Sequence, residues 1–208
     1  MSLANLKLVY FSFGTVGRGE SIKLLLEDAG VPHEYDFIDR DAWEPVKQKL
    51  IDEGHPFACV PYLEADGQKY FASTPILRFV TKKLGKYRGS NDDEEQFVDA
   101  CADFADDWYF AQLKSMLNPT DKALKEDYVT NHAPKHFARF ERIYGHNQGP
   151  YILGSEISYA DFMVYHTIDD QKQTQNLKEF PNLAKFIEAF IARPTMAKYL
   201  TVAPPKTE

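Results

Sequence analysis

Residues 59–85 read CVPYLEADGQKYFASTPILRFVTKKLG. Two β-rich runs, Cys59 to Glu64 and Lys69 to Phe71, flank the dipeptide Asp66-Gly67. Asp-Gly between such runs signals a hairpin, because the favoured two-residue turn needs positive φ at both central positions. Thr74-Pro75 follows as cap and first-turn proline, and Ile76 to Leu84 completes a helix that Gly85 stops. Upstream, Lys7 to Phe11 is a short β-rich run leading into the loop Phe13-Gly14-Thr15-Val16-Gly17. Ser21 to Ala29 reads as a helix with Ile22, Leu25, Leu26 and Ala29 on one face, stopped by Gly30. His33 to Ile38 is a second strand. Asp41-Ala42-Trp43-Glu44 has the form of a capping box, opening a helix through Lys47 to about Asp52 that ends at Gly54. The order β-α-β-α-β-β-α implies a small sheet with helices packed on it.

Beyond this module the strand signal stops. Lys86 to Asp93 is polar and reads as a linker. Phe97 to Leu117 carries apolar residues at helical spacing, as does Asp121 to Tyr144, where Pro134 predicts a kink. In Ile157-Ser158-Tyr159-Ala160-Asp161-Phe162, Ser158 can cap, Asp161 stands at the third helical position, and Ile157 and Phe162 form a hydrophobic staple. A last helix spans about Asn182 to Ala192. The chain therefore divides into an α/β domain over residues 1–84, a linker at 85–92 and an all-helical domain over 93–208, an α+β architecture.

The 208 residues carry a formal net charge of −7, which lacks the electrostatic footprint of a nucleic-acid binder or of a protein drawn to anionic membranes. At 44% hydrophobic and 14% aromatic the composition is that of a folded protein with a ring-rich core, not of a disordered one. Neither a membrane-length apolar run nor a signal-peptide pattern is present. Cys59 and Cys101 are too few for a disulfide framework or a zinc site, so a cytoplasmic, reducing location is expected. His132 and His136 stand at helical spacing without carboxylate or Cys partners at ligand distance, and no metal is expected.

Three local features can carry chemistry. Pro61 precedes a strand; it is either an ordinary edge proline or, if its peptide bond is cis, a device that turns the Val60 backbone outward toward an extended peptide. Ser73-Thr74-Pro75 opens a helix, whose free amides and dipole attract a carboxylate, although most such termini bind nothing. Tyr10 ends a strand beside a glycine-bearing loop; a lone strand tyrosine is usually core or rim.

In order along the chain stand Tyr10-Phe11, Gly17-Arg18-Gly19-Glu20-Ser21, Trp43 with Lys47, Val60-Pro61-Tyr62-Leu63, and Ser73 with Ile76-Leu77-Arg78. Val98-Asp99 with Asp103, Gly154 with Ser158, Ala160 and Asp161, Phe180-Pro181-Asn182-Leu183, and Arg193-Pro194 with Tyr199-Leu200 continue the series. In this order and spacing the chain resembles the cytosolic glutathione transferases of the tyrosine type, nearest the sigma class. The resemblance implies a thioredoxin-like N-terminal domain, an all-α C-terminal domain, a homodimer, and attack of the glutathione thiolate on an apolar electrophile. Reduced glutathione is then the cosubstrate. A thiol of pKa ~8.5 must be lowered by about two units to ionise near neutrality, roughly 2.7 kcal/mol of selective stabilisation, and a tyrosine hydroxyl donating to sulfur can supply much of it.

By the same resemblance Tyr10 is the catalytic tyrosine, and Arg18 lies near it and favours negative charge; a structural ion pair with Glu20 or a surface acid is the competing reading. Trp43 and Lys47 share a helix face and meet the glycyl end of glutathione, Lys47 pairing with its carboxylate. Val60, with Cys59 and Pro61 beside it, pairs with the cysteinyl backbone. Ser73 and Thr74 hold the γ-glutamyl carboxylate, and Asp103 reaches the γ-glutamyl amine across the dimer. Phe11, Phe13, Tyr109, Phe110 and Leu113 are candidate walls for the apolar substrate between the domains, and Phe57 is a candidate aromatic contact to the second subunit. Aromatic core residues have the same pattern.

The match departs in three places. The loop Ser12 to Val16 is longer than in sigma-type relatives. Ala72 and Cys59 stand where the family often has Gln, so two side-chain hydrogen bonds of about 0.5–1.5 kcal/mol each are absent and weaker glutathione binding is expected. Cys59 could form a mixed disulfide if exposed. Two alternatives stand beside the transferase: a non-enzymatic scaffolding relative of the fold, and a glutathione-dependent isomerase or synthase acting on a lipid-like substrate.

Overall fold

A computed structural model of the chain describes Leu3 and residues 5–203. Strands β1 (Leu6–Phe11), β2 (His33–Ile38), β3 (Tyr62–Ala65) and β4 (Gln68–Phe71) form one four-stranded sheet in the order β2-β1-β3-β4. β1 and β2 are parallel, with Leu6 opposite His33. β3 is antiparallel to both neighbours, with Val9 opposite Tyr62 and Ala65 opposite Gln68. The Asp66-Gly67 turn takes φ 49° and 76°, the double positive φ that this dipeptide supplies at low steric cost.

Parallel neighbours need a crossover, and α1 (Glu20–Asp28) provides it. It ends at Gly30, φ 62°, whose N–H donates to the Glu27 carbonyl at 3.1 Å while the Val31 N–H donates to the Leu26 carbonyl at 3.0 Å. These two bonds satisfy carbonyls that a helix end otherwise leaves open. α2 (Trp43–Asp52) and α3 (Ser73–Leu84) complete a thioredoxin-like N-terminal domain.

Local starts differ from the sequence expectation. α2 lacks the Asp41–Glu44 capping box: a 3₁₀ turn over Arg40–Ala42 precedes it, and the Ala42 N–H is satisfied by the Asp39 carbonyl at 2.9 Å. β3 begins at Tyr62 rather than Cys59; the Val60-Pro61 bond is cis, and Pro61 has no N–H to give the ladder. α3 begins at Ser73, one residue before Thr74, after Ala72 at φ 68°. Pro75 falls in its first turn, where no N–H is needed, and Gly85 ends it at φ 64°.

The helices that follow are α4 (Asp92–Met116), α5 (Lys122–Asp127), α6 (Ala133–Tyr144), α7 (Tyr159–Asp170), α8 (Pro181–Ile191) and α9 (Pro194–Val202). Residues 86–192 form one compact unit; those up to Gly85 form the other, together with those from Arg193 onward. α4 starts inside the polar linker because Asn91 accepts the Glu94 N–H at 3.0 Å. The periodic run 121–144 is not one kinked helix. A π-helical stretch over Tyr128–His132 separates α5 from α6, since Pro134 has no N–H to return to the preceding turn.

α7 opens as the sequence predicts: the Ser158 N–H and hydroxyl donate to Asp161 Oδ2 at 2.7 and 2.8 Å. Asp161 Oδ1 also accepts from the Ile152 N–H at 3.1 Å and the Tyr144 hydroxyl at 2.9 Å. Trp108, Phe140, Phe162, Phe186 and Phe190 are fully buried, the ring-rich core that the composition implies. α9 lies beyond the helix expected to be last. It docks on α1: Arg193 Nε donates to Asp28 Oδ1 at 2.8 Å, and the Tyr199 hydroxyl donates to Glu20 Oε1 at 2.8 Å.

Candidate active site

β1 delivers Tyr10, a buried side chain at its C-terminal end. The following loop returns along the ring. The Arg18 N–H donates to Tyr10 Oη at 2.9 Å. Gly17 stands at φ 91°, and a Cβ there would lie 2.5 Å from Tyr10 Oη; a Cβ on Gly19 would lie 2.7 Å from Tyr10 Cγ. Only residues without a Cβ allow main chain this close to the phenol. The sequence drew attention to Arg18 for its guanidinium, yet its amide makes the direct contact. Gly17 and Gly19 join the site on this geometry, and the Gly-x-Gly spacing around Arg18 is their sequence signal.

Arg18 Nη1 reaches Ser73 Oγ at 3.5 Å, the outer limit of a hydrogen bond. Ser73 is buried at the N-terminus of α3, and Thr74 beside it is also buried. Cys59 is half-buried. Burial pushes its thiol pKa up, opposed by a hydrogen bond from the Ala72 backbone. The structure thus brings Tyr10, Arg18 and Ser73 together, with Cys59 tied to the residue before Ser73 and Val60-Pro61 directly after it in sequence.

Phe11 packs against Tyr10 and Phe13, with ring centroids 5.7 and 5.3 Å away, and meets Trp43 edge-on at 5.8 Å. Trp43 and Phe11 rest on the core cluster of Val9, Ile38, Leu50 and Tyr62. Lys47, one turn further along α2, pairs with Glu44 at 3.8 Å within its own helix. Phe57 is 69% exposed, its ring 6.0 Å from that of Phe71.

In the helical unit, Asp103 is exposed on α4. Tyr109 is a core residue: it is 4% exposed, its hydroxyl donates to Asp170 at 2.8 Å and its ring stacks on His166 at 5.4 Å. Phe110 is exposed and Leu113 half-buried. His132 pairs with Asp127 at 3.2 Å, while His136 stacks on Trp108. Among the described residues no group of His, Cys, Asp or Glu is arranged to hold a metal, and no helix is long and apolar enough to cross a membrane.

Residues 6–82 match the N-terminal domain of glutathione S-transferase and residues 103–202 its C-terminal domain. Glutathione S-transferase P of Caenorhabditis elegans is 31% identical, with 94% of this chain and 91% of that protein covered. The chain belongs to the glutathione S-transferase family. The pi-class glutathione S-transferase of Onchocerca volvulus superposes with a TM-score of 0.83 at 27% identity, covering 95% of this chain and 92% of that one. Prostaglandin synthase D of Nilaparvata lugens superposes at 0.82 with 25% identity, covering 97% of this chain and 99% of that one. The family uses glutathione as cosubstrate, which makes a thiol peptide the ligand against which the constellation around Tyr10 is weighed.

Proposed function

We propose that the protein is a tyrosine-type glutathione S-transferase in which Tyr10 promotes ionisation of the glutathione thiol for attack on an apolar electrophile. The observation that carries this reading is the Arg18 N–H donated to Tyr10 Oη at 2.9 Å. A donor on the phenolic oxygen draws electron density from it and strengthens the O–H as a donor to sulfur. It also stabilises whatever negative charge the phenol takes up. The adjacent Arg18 guanidinium adds positive charge. The thiol proton passes to solvent, the thiolate sulfur forms a bond to the electrophilic carbon, and the leaving group departs with the electrons of the bond that breaks.

The chain's own groups suit the rest of the peptide. Ser73 and Thr74 offer hydroxyls and amides at the positive end of α3 to the γ-glutamyl carboxylate. Val60, ahead of the first paired residue of β3, offers main chain to the cysteinyl unit. Lys47 exchanges its loose partner Glu44 for the glycyl carboxylate beside Trp43. Phe11 and Phe13 flank the reacting sulfur and favour an apolar electrophile. On α4, Phe110 and Leu113 are assigned as apolar-substrate residues in their own right, with Tyr109 behind them in the core.

A homodimer completes the proposal. The exposed Phe57 ring is the aromatic contact to the second copy. We assign to it the groove of about 320 Å³ on the helical unit lined by Phe97, Phe104, Arg139 and Ile143. Asp103, exposed on α4, is assigned to the γ-glutamyl amine bound by the partner. The likeness to the prostaglandin synthase favours a second reading, glutathione-dependent isomerisation of a lipid-like substrate by the same thiolate.

The test is Tyr10→Phe, followed by calorimetric titration with reduced glutathione and by turnover of an activated aryl halide across pH. Affinity stays within about two-fold, while the acid-limb midpoint of kcat/KM rises by about one unit or more and turnover falls at least about ten-fold. An unchanged rate and midpoint removes Tyr10 from the chemistry. Absence of glutathione binding by the parent protein selects the non-enzymatic scaffold instead.

A further inference from the structure

The loop that holds Tyr10 is itself anchored, and the anchor lies at the far end of the chain. Glu20, the first residue of α1, is 3% exposed, yet its carboxylate accepts the Tyr199 hydroxyl at 2.8 Å, a bond spanning 179 positions of sequence. The Glu20 N–H donates to the Gly17 carbonyl at 3.1 Å, and the Lys23 N–H donates to that of Gly19 at 3.1 Å. Gly17 and Gly19 are the two residues whose backbone lies directly against the Tyr10 ring, and Arg18 between them donates to its oxygen. The Lys23 ammonium sits 4.7 Å from the Tyr35 ring centroid and 5.1 Å from that of Tyr199. One contiguous set of hydrogen bonds therefore runs from α9 through the first turn of α1 to the phenol.

A buried carboxylate at this point has a structural cost that demands a partner. An apolar residue at position 20 would have packed against Tyr199 with less penalty. A hydroxyl–carboxylate bond instead sets direction, because the Glu20 side chain can accept only with its helix turn correctly placed. Burial and the Glu20 charge both hold the Tyr199 proton on, so the hydroxyl remains a donor.

From this geometry we infer that Glu20 and Tyr199 are positioning residues for Tyr10, with α9 fixing the Gly17-Arg18-Gly19 turn and through it the hydrogen bond to the phenolic oxygen. The inference rests on the assignment of Tyr10 as the residue that activates glutathione. Neither Glu20 nor Tyr199 touches substrate in this scheme; both act through the main chain of residues 17–19.

The experiment compares Tyr199→Phe with the parent, Tyr10→Phe and Thr195→Val, which loosens α9 at its Asp28 contact and leaves Glu20 alone. Each is assayed for melting temperature, glutathione affinity and the pH profile of kcat/KM. Tyr199→Phe is expected to lower kcat/KM about five-fold at acid pH, with the acid-limb midpoint raised by about 0.7 unit and glutathione affinity unchanged. Glu20→Gln, which keeps an acceptor oxygen for Tyr199, retains the parent midpoint. Thr195→Val lowers the melting temperature without moving the midpoint. If Thr195→Val moves the midpoint as far as Tyr199→Phe, the effect is general loosening of α9 and the inference is overturned. It is overturned equally if Tyr199→Phe keeps the parent profile while Tyr10→Phe shifts it. If Tyr10→Phe itself leaves the profile unmoved, the proposed activation of glutathione by Tyr10 falls first.

Discussion

Gly19→Ala isolates the contact between the loop and the phenol. The residue has φ −72° and ψ −30°, a conformation that alanine adopts freely, so backbone strain does not enter. The added methyl would lie 2.7, 2.8 and 2.9 Å from Tyr10 Cγ, Cδ1 and Cβ. Ordinary carbon–carbon contact is about 3.5–4.0 Å, so loop and ring must part by about 1 Å. The Tyr10 backbone cannot yield, because β1 is paired to β2 on one side and β3 on the other. The loop therefore moves, carrying the Arg18 N–H away from Tyr10 Oη, or the ring rotates.

Overpacking of this kind costs about 1–3 kcal/mol of stability, partly offset by about 0.4–1 kcal/mol from the stiffer unfolded chain. Misplacement of a reacting group by about 1 Å costs catalysis up to about 100-fold. The expected phenotype is therefore asymmetric: a small loss of melting temperature, unchanged glutathione affinity by calorimetry, and a kcat/KM reduced at least ten-fold with its acid limb moved upward. Full activity on an unmoved pH profile refutes the reasoning, since the ring would then tolerate an atom where the structure leaves no room.

Two further outcomes concern Asp161 and the two cysteines. Asp161→Ala removes the acceptor for the Ser158 N–H and hydroxyl, the Ile152 N–H and the Tyr144 hydroxyl. About 3 kcal/mol or more of stability is lost in denaturant titration, with Asp161→Asn intermediate, and a loss below 1 kcal/mol contradicts the network. For Cys59, the raised thiol pKa in the folded protein means less thiolate at any given pH than in free cysteine. Iodoacetamide should label it more slowly than free cysteine at pH 7.5 and faster as the pH rises. Cys101, whose thiol burial pushes up to about 12, should resist labelling until the protein unfolds. Rapid alkylation of Cys59 at neutral pH contradicts the raised thiol pKa.

What the sequence made legible was local. β2 runs from His33 to Ile38 as read, the Asp66-Gly67 turn takes its expected double positive φ, and Ser158 with Asp161 forms its capping box. In each case the deciding groups lie within a few residues of one another. α9 was hidden because only Met196 and Tyr199 of its residues are buried, and its fixed position depends on Asp28 and Glu20, far away in sequence. The Asp41 capping box failed for the converse reason: side chains able to cap were present, but the chain entered α2 through a 3₁₀ turn that satisfied the amide internally. At the site, helical spacing grouped Tyr109 with Phe110 and Leu113. Asp170 and His166, contributed by α7, decide that Tyr109 faces the core.

The same distinction between side chain and main chain governs the two departures from the family pattern. Ala72 and Cys59 remove side-chain amides, which invites the expectation of a weakened site. Yet Ala72 holds φ 68° without a glycine, and its backbone hydrogen-bonds the Cys59 thiol, so the two departures support each other in space. That bond joins the segment before Val60-Pro61 to the N-terminus of α3, the two places proposed to receive the cysteinyl and γ-glutamyl units. On this reading the cradle keeps its main-chain geometry and its helix-end charge, and loses only the two side-chain hydrogen bonds. Glutathione affinity should then be lowered by those bonds alone, while the activation step, which depends on Tyr10, Arg18 and the two glycines around it, is left intact.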